Sequence, residues 1–285
     1  MPPPLAATFS SQLRYVHCTT NFVPGKSKSA KLRLSSTTMT ASDERIGRTA
    51  RLELSDQGLR EFEALVLDAS PEGIVLDRSA FYPGGGGQPP DHGALVFDGV
   101  ICRIVGARKG DDLYLLPLDG DPVPGPGTRV RGVVDDGRRF ELMRTHSALH
   151  LLSGVVFRDF GALVTGGNMD PLSARLDFNL QAVPEGFRED LERLCNQEVL
   201  ADRAIEVFSL PREEAFEIPD IIRTATNLLP AEIEVVRIVD IVGLDTQADG
   251  GTHVASTAQI GEIAVTKVEN KGKGFRRVRI ALPKL

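Results

Sequence analysis

His146 and His150 stand four residues apart in a stretch whose apolar spacing predicts a helix from Arg138 to about Arg158. Both rings therefore project from one face, a turn apart. Paired imidazoles at this spacing form the helical half of many zinc sites, because neutral ring nitrogens then converge on one ion. The plainer alternative is a pair of polar residues at the edge of a core. A second cluster reads Asp249-Gly250-Gly251-Thr252-His253. Its two glycines let the backbone turn sharply and approach a ligand closely. Asp249 and His253 are again four apart, here on a loop feeding a strand, and a simple Gly-Gly turn is the alternative. Together the clusters offer three histidines and a carboxylate, a donor set acceptable to zinc.

Two further features bear on ligands. The segment Phe81-Tyr82-Pro83-Gly84-Gly85-Gly86-Gly87-Gln88-Pro89 removes side chains and bares backbone N–H groups, which suits close approach of a phosphate or of a neighbouring domain. It is not a phosphate-binding P-loop, since no Lys-Ser or Lys-Thr follows. The C-terminal stretch carries Lys267, Lys271, Lys273, Arg276, Arg277, Arg279 and Lys284 against Glu269 alone after Ile263. Such a concentration reads either as a solvated face or as a phosphate-binding stripe, which Arg138, Arg139 and Arg144 would extend.

These residues need elements to hold them. Between Thr49 and Val134, short runs rich in Val, Leu and Ile are separated by Gly, Asp and Pro turns: Ala50–Leu54, Phe62–Asp68, Gly73–Leu76, Leu95–Phe97 and Ile101–Val105. That spacing predicts a small β-barrel or open sheet. The rest alternates. The histidine helix carries Leu142, Leu149, Leu152 and Val156 along one stripe. A turn and strand over Leu163–Phe178 follow, then a second helix opened by Pro184 and running to about Asp202. Strands over Arg203–Leu210 and Ile233–Val239 precede a closing hairpin that joins Ile260–Val268 to Phe275–Leu282. The expected fold class is α+β, with a β-barrel-like domain over 46–135 and an α+β domain over 136–285.

Composition narrows the classes. The chain has 285 residues, 41% hydrophobic and 25% charged, an ordinary globular balance. It contains no apolar run long enough to span a membrane, so no membrane partner is expected. Cys18, Cys102 and Cys195 form no CxxC pair, which excludes a zinc ribbon and a disulfide framework and fits a reducing compartment. A net charge of −6 argues against gripping nucleic acid with the whole surface but leaves room for a local patch. Residues 1–42 differ: they hold Arg14, Lys26, Lys28, Lys31 and Arg33, many hydroxyls and no acid. They read as a leader outside the fold, either a transit peptide to mitochondrion or plastid or an upstream start with Met39 as the initiator of a cytoplasmic protein.

The motifs also match one family in order. His146-Ser147-Ala148-Leu149-His150-Leu151-Leu152, the run Gly250-Gly251-Thr252-His253-Val254 with Thr257 and Ile260-Gly261 behind it, and Glu269-Asn270-Lys271-Gly272 with Arg276-Arg277 resemble the editing domain of alanyl-tRNA synthetase and the freestanding AlaX trans-editing proteins. Phe81–Pro89 resembles the glycine-rich signature of the two-domain AlaX members. The resemblance covers about Thr49–Leu285. It implies ATP-independent hydrolysis of the ester joining a wrong amino acid to alanine tRNA, chiefly serine and secondly glycine. It implies zinc as cofactor, with His146, His150 and His253 as ligands and catalytic residues and Asp249 at the fourth position, where the family's commoner residue is Cys. It places Thr165, Gly166 and Gly167 along the amino-acid pocket.

An aminoacyl ester is already activated, so such a site needs mainly to position water and stabilise an oxyanion. Zinc could serve by polarising water or by holding the substrate's amino group or hydroxyl. Rejecting alanine requires a polar partner for the serine hydroxyl, with Thr165 and Thr252 as candidates. Lys271, Arg276 and Arg277 would hold the tRNA backbone. Two other readings stand beside this one: a non-catalytic RNA-binding module on the same scaffold, and a zinc hydrolase of a small ester or amide.

Overall fold

A computed structural model of the chain describes residues 45–285 except 182, 227, 228 and 232. Within the expected leader it describes only an antiparallel pairing of Val16–His17 with Ser35–Ser36. The leader reading of residues 1–42 otherwise lies outside the described residues.

Six strands close a barrel: β1 (Glu61–Ser70), β2 (Gly73–Leu76), β3 (Gly93–Phe97), β4 (Val100–Lys109), β5 (Leu113–Pro117) and β6 (Arg129–Val134). Their order around it is β5-β2-β1-β6-β3-β4, with β4 pairing back to β5. Alternation makes the barrel: Phe62, Ala64 and Val66 of β1, Cys102 and Ile104 of β4, and Val130, Gly132 and Val134 of β6 are buried, while the residues between them face outward. Phe62 meets Phe81 edge to face at 5.8 Å in this core. Of the two expected architectures, the closed barrel is the one formed. One local expectation fails. Ala50–Leu54 is not a single strand: Thr49–Arg51 is extended, but Leu52–Ser55 forms a helical turn that buries Glu53 against Arg51 at 2.6 Å.

Helix α1 (Asp136–Phe160) follows the barrel directly. The Asp135 side chain caps it by accepting from the Arg138 N–H at 3.0 Å, and Gly161 ends it in the left-handed region at φ 65°. The expected single apolar stripe is too narrow a description. Every residue from Leu142 to Val156 is buried, so α1 is enclosed on all sides, polar residues included.

Around α1 lie β7 (Val164–Asp170), β8 (Ser173–Phe178), α2 (Phe187–Leu200), β9 (Ile205–Pro211), β10 (Val235–Ile241), β11 (Asp245–Ala248), β12 (Ala264–Asn270) and β13 (Arg276–Ala281). One antiparallel sheet runs β7-β8-β13-β12 and another β9-β10-β11. Leu149, Leu152, Phe178, Leu191, Val278 and Ile280 share a core between the first sheet, α1 and α2. Helix α2 starts after Gly186 rather than at Pro184, whose carbonyl accepts the Phe187 N–H at 3.3 Å. No helix among the described residues is long and apolar enough to cross a membrane.

Candidate functional site

The two histidine-bearing segments meet where α1 passes the end of β11. His146 and His150 come from consecutive turns of α1. Asp249 is the residue after β11, fixed there by its N–H donating to the Arg237 carbonyl at 3.1 Å and by Arg237 Nη1 donating to its own carbonyl at 3.0 Å. The Asp249 carboxylate then accepts the Gly251 N–H at 2.5 Å, folding the turn that delivers His253. Gly251 passes directly over His146, where a Cβ would fall on the imidazole ring. Only glycine permits that approach.

The result is one cluster. Single donor atoms from His146, His150, Asp249 and His253 all lie within 4.8 Å of one another. Asp249 Oδ1 stands 3.6 Å from His146 Nε2 and 3.9 Å from His150 Nε2, and Oδ2 is 3.2 Å from His253 Nε2. The His146 and His253 rings stack at 4.5 Å, and His150 meets His253 edge to face at 4.6 Å. Burial pushes His146 down to about 4 and holds His253 well below the ordinary imidazole range. Both are therefore neutral near pH 7, the form that ligates metal. Burial opposes ionisation of Asp249, but the three imidazoles around it, His146 first, outweigh that and hold its carboxyl well below the usual range.

The barrel completes the site. Gly84, Gly85, Gly86 and Gly87 all have positive φ, at 85°, 131°, 59° and 88°. Gly85 and Gln88 exchange both N–H···O=C bonds at 3.0 Å, closing a tight turn with Gly86 and Gly87 at its tip. A Cβ on Gly86 would lie 3.5 Å from Asp249 Oδ1, and one on Gly87 would lie 3.9 Å from the Gly167 carbonyl. The glycine-rich loop thus lies against the cluster and β7.

Behind it Gln88, buried, accepts the Thr252 N–H through Oε1 at 3.0 Å and donates from Nε2 to Thr252 Oγ1 at 2.8 Å. The same Oε1 is 2.9 Å from His146 Nδ1. From the turn before β1, Gln57 Oε1 accepts the His253 N–H at 2.6 Å. Ser147 Oγ contacts His253 Nδ1 at 3.2 Å. Gln57 carried no signal in the sequence, and Ser147, though inside the histidine motif, belongs to no ligand-like spacing.

The other expected residues are placed as follows. Thr252 is buried and engaged by Gln88. Thr165 is exposed and stands in a β-bulge, because the β7–β8 register shifts between Val164 and Gly166, and Gly166 and Gly167 follow it along β7. Lys271 lies in the turn between β12 and β13, and Arg276 and Arg277 open β13. Among the described residues no hydrogen bond or ion pair joins these three to the cluster. Arg277 instead holds Asp177 through two bonds at 2.7 and 2.8 Å. Arg139 and Arg144 do not extend a basic stripe, since both are fully buried: Arg139 pairs with Asp91, and Arg144 donates to the Ile260 carbonyl at 2.9 Å.

Comparison with known proteins adds the family. Residues 236–279, from β10 into β13, match the threonyl and alanyl tRNA synthetase second additional domain. The chain is 40% identical over 232 residues to an alanyl-tRNA editing protein AlaX-M of Saccharolobus solfataricus, covering 81% of this chain and 97% of that protein. It is 37% identical to the AlaX-M of Methanosarcina acetivorans, over 82% of this chain and 99% of that one. The chain belongs to the AlaX-M family. A further match, 35% identical, is to the alanine–tRNA ligase of Pyrococcus furiosus, over 82% of this chain but 26% of the ligase. The AlaX-M matches run nearly the full length of those proteins, so the family resemblance extends over the barrel as well as the α+β part.

Proposed function

We propose that this chain is an aminoacyl-tRNA deacylase that edits mischarged alanine tRNA, acting chiefly on the seryl ester and secondly on the glycyl ester, at a zinc site formed by His146, His150, Asp249 and His253. The names of its AlaX-M relatives support the substrate class. One observation supports the metal. The Thr252 N–H can only donate, so the atom it meets on Gln88 is the amide oxygen, and the His146 Nδ1 facing that oxygen must carry a proton. In the neutral ring Nε2 then bears a lone pair, and 3.6 Å away stands a carboxylate oxygen. Two acceptors facing each other in a buried site call for a cation between them.

The donor chemistry fits zinc, for which tetrahedral bonds of about 2.05 Å put neighbouring ligand atoms about 3.3 Å apart. The observed separations from Asp249, 3.2 to 3.9 Å, bracket that value. Bound there, zinc would supply a fixed positive charge to polarise the ester or the attacking water.

The chain's own groups have definable tasks. Thr252 commits an acceptor position to Gln88 Nε2 and keeps its hydroxyl proton free to donate to a serine hydroxyl. Thr165 offers a second hydroxyl, turned out by the bulge in β7. Alanine leaves such partners unpaired, which supplies the discrimination. Lys271, Arg276 and Arg277 hold the tRNA backbone without reading sequence. In this reading the barrel part (46–135) closes the site and the α+β part (136–285) carries the ligands.

The test is deacylation of seryl alanine-tRNA by protein purified without chelators. Hydrolysis should be abolished by a chelator and restored by zinc. Binding of tRNA without hydrolysis would favour a non-catalytic RNA-binding module. Equal hydrolysis of a simple seryl ester lacking tRNA would favour a small-ester hydrolase.

A further inference from the structure

We propose that Gln88, supplied by the barrel's glycine-rich loop, is a positioning residue for the metal cluster: it holds His146 in the tautomer and orientation that turn Nε2 towards the other three donors. This rests on reading the cluster as a metal site and identifies which residue outside the ligands sets its affinity. Gln88 is 2% exposed and has three hydrogen bonds. They reach residues 58 and 164 positions away, one on each ligand-bearing segment. Oε1 bridges the His146 Nδ1–H and the Thr252 N–H, so a single atom sets the ring of one ligand and the backbone beside another, His253.

The amide is itself held firmly. Its backbone closes the Gly85–Gln88 turn. Three residues on, Asp91 accepts the Tyr82 N–H at 2.6 Å and pairs with Arg139 of α1. The Tyr82 hydroxyl donates to the Gly85 carbonyl at 3.0 Å. A ligand imidazole whose second nitrogen has a fixed acceptor cannot swap tautomers or swing, and losing such a partner typically weakens metal binding 10- to 100-fold. Metal affinity in this chain therefore depends on a barrel residue that ligates nothing.

Two substitutions separate positioning from packing. Gln88→Leu preserves volume but removes the acceptor. Gln88→Glu keeps an oxygen for both the His146 Nδ1–H and the Thr252 N–H, and its second oxygen accepts from the Thr252 hydroxyl after that rotates. The probe is zinc alone, titrated against a chromophoric chelator without tRNA, with thermal unfolding of each metal-free protein as the folding control.

Positioning predicts that Gln88→Leu binds zinc about 10- to 100-fold more weakly, while Gln88→Glu stays within about threefold of the parent. A space-filling role predicts the reverse, because leucine fits and a buried carboxylate does not. Parental affinity in the folded leucine variant, or a loss in the glutamate variant equal to that in leucine, would overturn the proposal. If Gln88→Leu shows no cooperative unfolding, Gln88→Glu decides alone: retained affinity supports positioning and lost affinity overturns it. A parent protein that binds no zinc would sink the metal reading itself, and this inference with it.

Discussion

Arg139 and Asp91 form a buried ion pair that ties the barrel to the histidine helix. Arg139 Nε lies 3.0 and 2.9 Å from the two Asp91 oxygens, and both side chains are almost wholly excluded from solvent. The same guanidinium donates to the Gln57 carbonyl at 3.0 Å and the Ala80 carbonyl at 2.7 Å. Two turns before His146, α1 thus grips both barrel segments, at Gln57 and at Gln88–Asp91, that reach into the cluster. Removing one partner strands the other charge. Arg139→Met should destabilise the protein by about 3–5 kcal/mol in denaturant unfolding. A loss below about 1 kcal/mol would place the pair outside the structural core of the site.

Gly251→Ala should damage the cluster while its neighbour tolerates the same change. A Cβ at Gly251 collides with the His146 ring, whereas one at Gly250 meets nothing within 4 Å. Overpacking of this kind costs about 1–3 kcal/mol. Zinc content measured on both variants should fall sharply for Gly251→Ala and hold for Gly250→Ala. Similar zinc content in the two would contradict the close approach.

His150→Ala should strip most of the zinc by metal analysis, because it removes one of three imidazoles. Asp249→Ala should also lower occupancy, and Asp249→Cys should recover it, thiolate being a softer and better zinc ligand than carboxylate. Near-normal zinc in Asp249→Ala would leave three histidines as the ligand set and remove Asp249 from it.

The cations of the closing hairpin should not be equivalent. Arg277 is committed to Asp177, whereas Lys271 and Arg276 are in no ion pair among the described residues. Lys271→Ala and Arg276→Ala should weaken tRNA binding and flatten its salt dependence, by roughly 0.7–0.9 in log–log slope for each phosphate no longer neutralised. Arg277→Ala should change the slope less and cost about 0.2–1 kcal/mol of stability. Zinc content should stay unchanged in all three. An unaltered slope in Lys271→Ala would move the tRNA surface elsewhere.

The members of the histidine–aspartate cluster were legible because their spacing is local. His146 and His150 share a helix face by spacing, and two glycines before His253 announce a tight turn. What supports them was not. Gln57 meets His253 across 196 residues and Gln88 meets Thr252 across 164, pairings that exist only once the barrel closes against α1. Arg139 and Arg144 look like surface charge by residue type alone, and only the enclosure of α1 shows them to be interior. The short β11 went unread because Asp245–Ala248 lacks a β-branched run, though it is the strand that delivers Asp249. The barrel's closure also lay beyond the periodicity, which serves an open sheet equally well.

The most direct measurement is the rate at which zinc-loaded protein hydrolyses seryl and alanyl esters carried on the same alanine tRNA, compared with the rates for His150→Ala. Much faster loss of serine than of alanine is expected, with His150→Ala inactive on both yet still binding tRNA. Equal rates on the two esters would contradict an editing role.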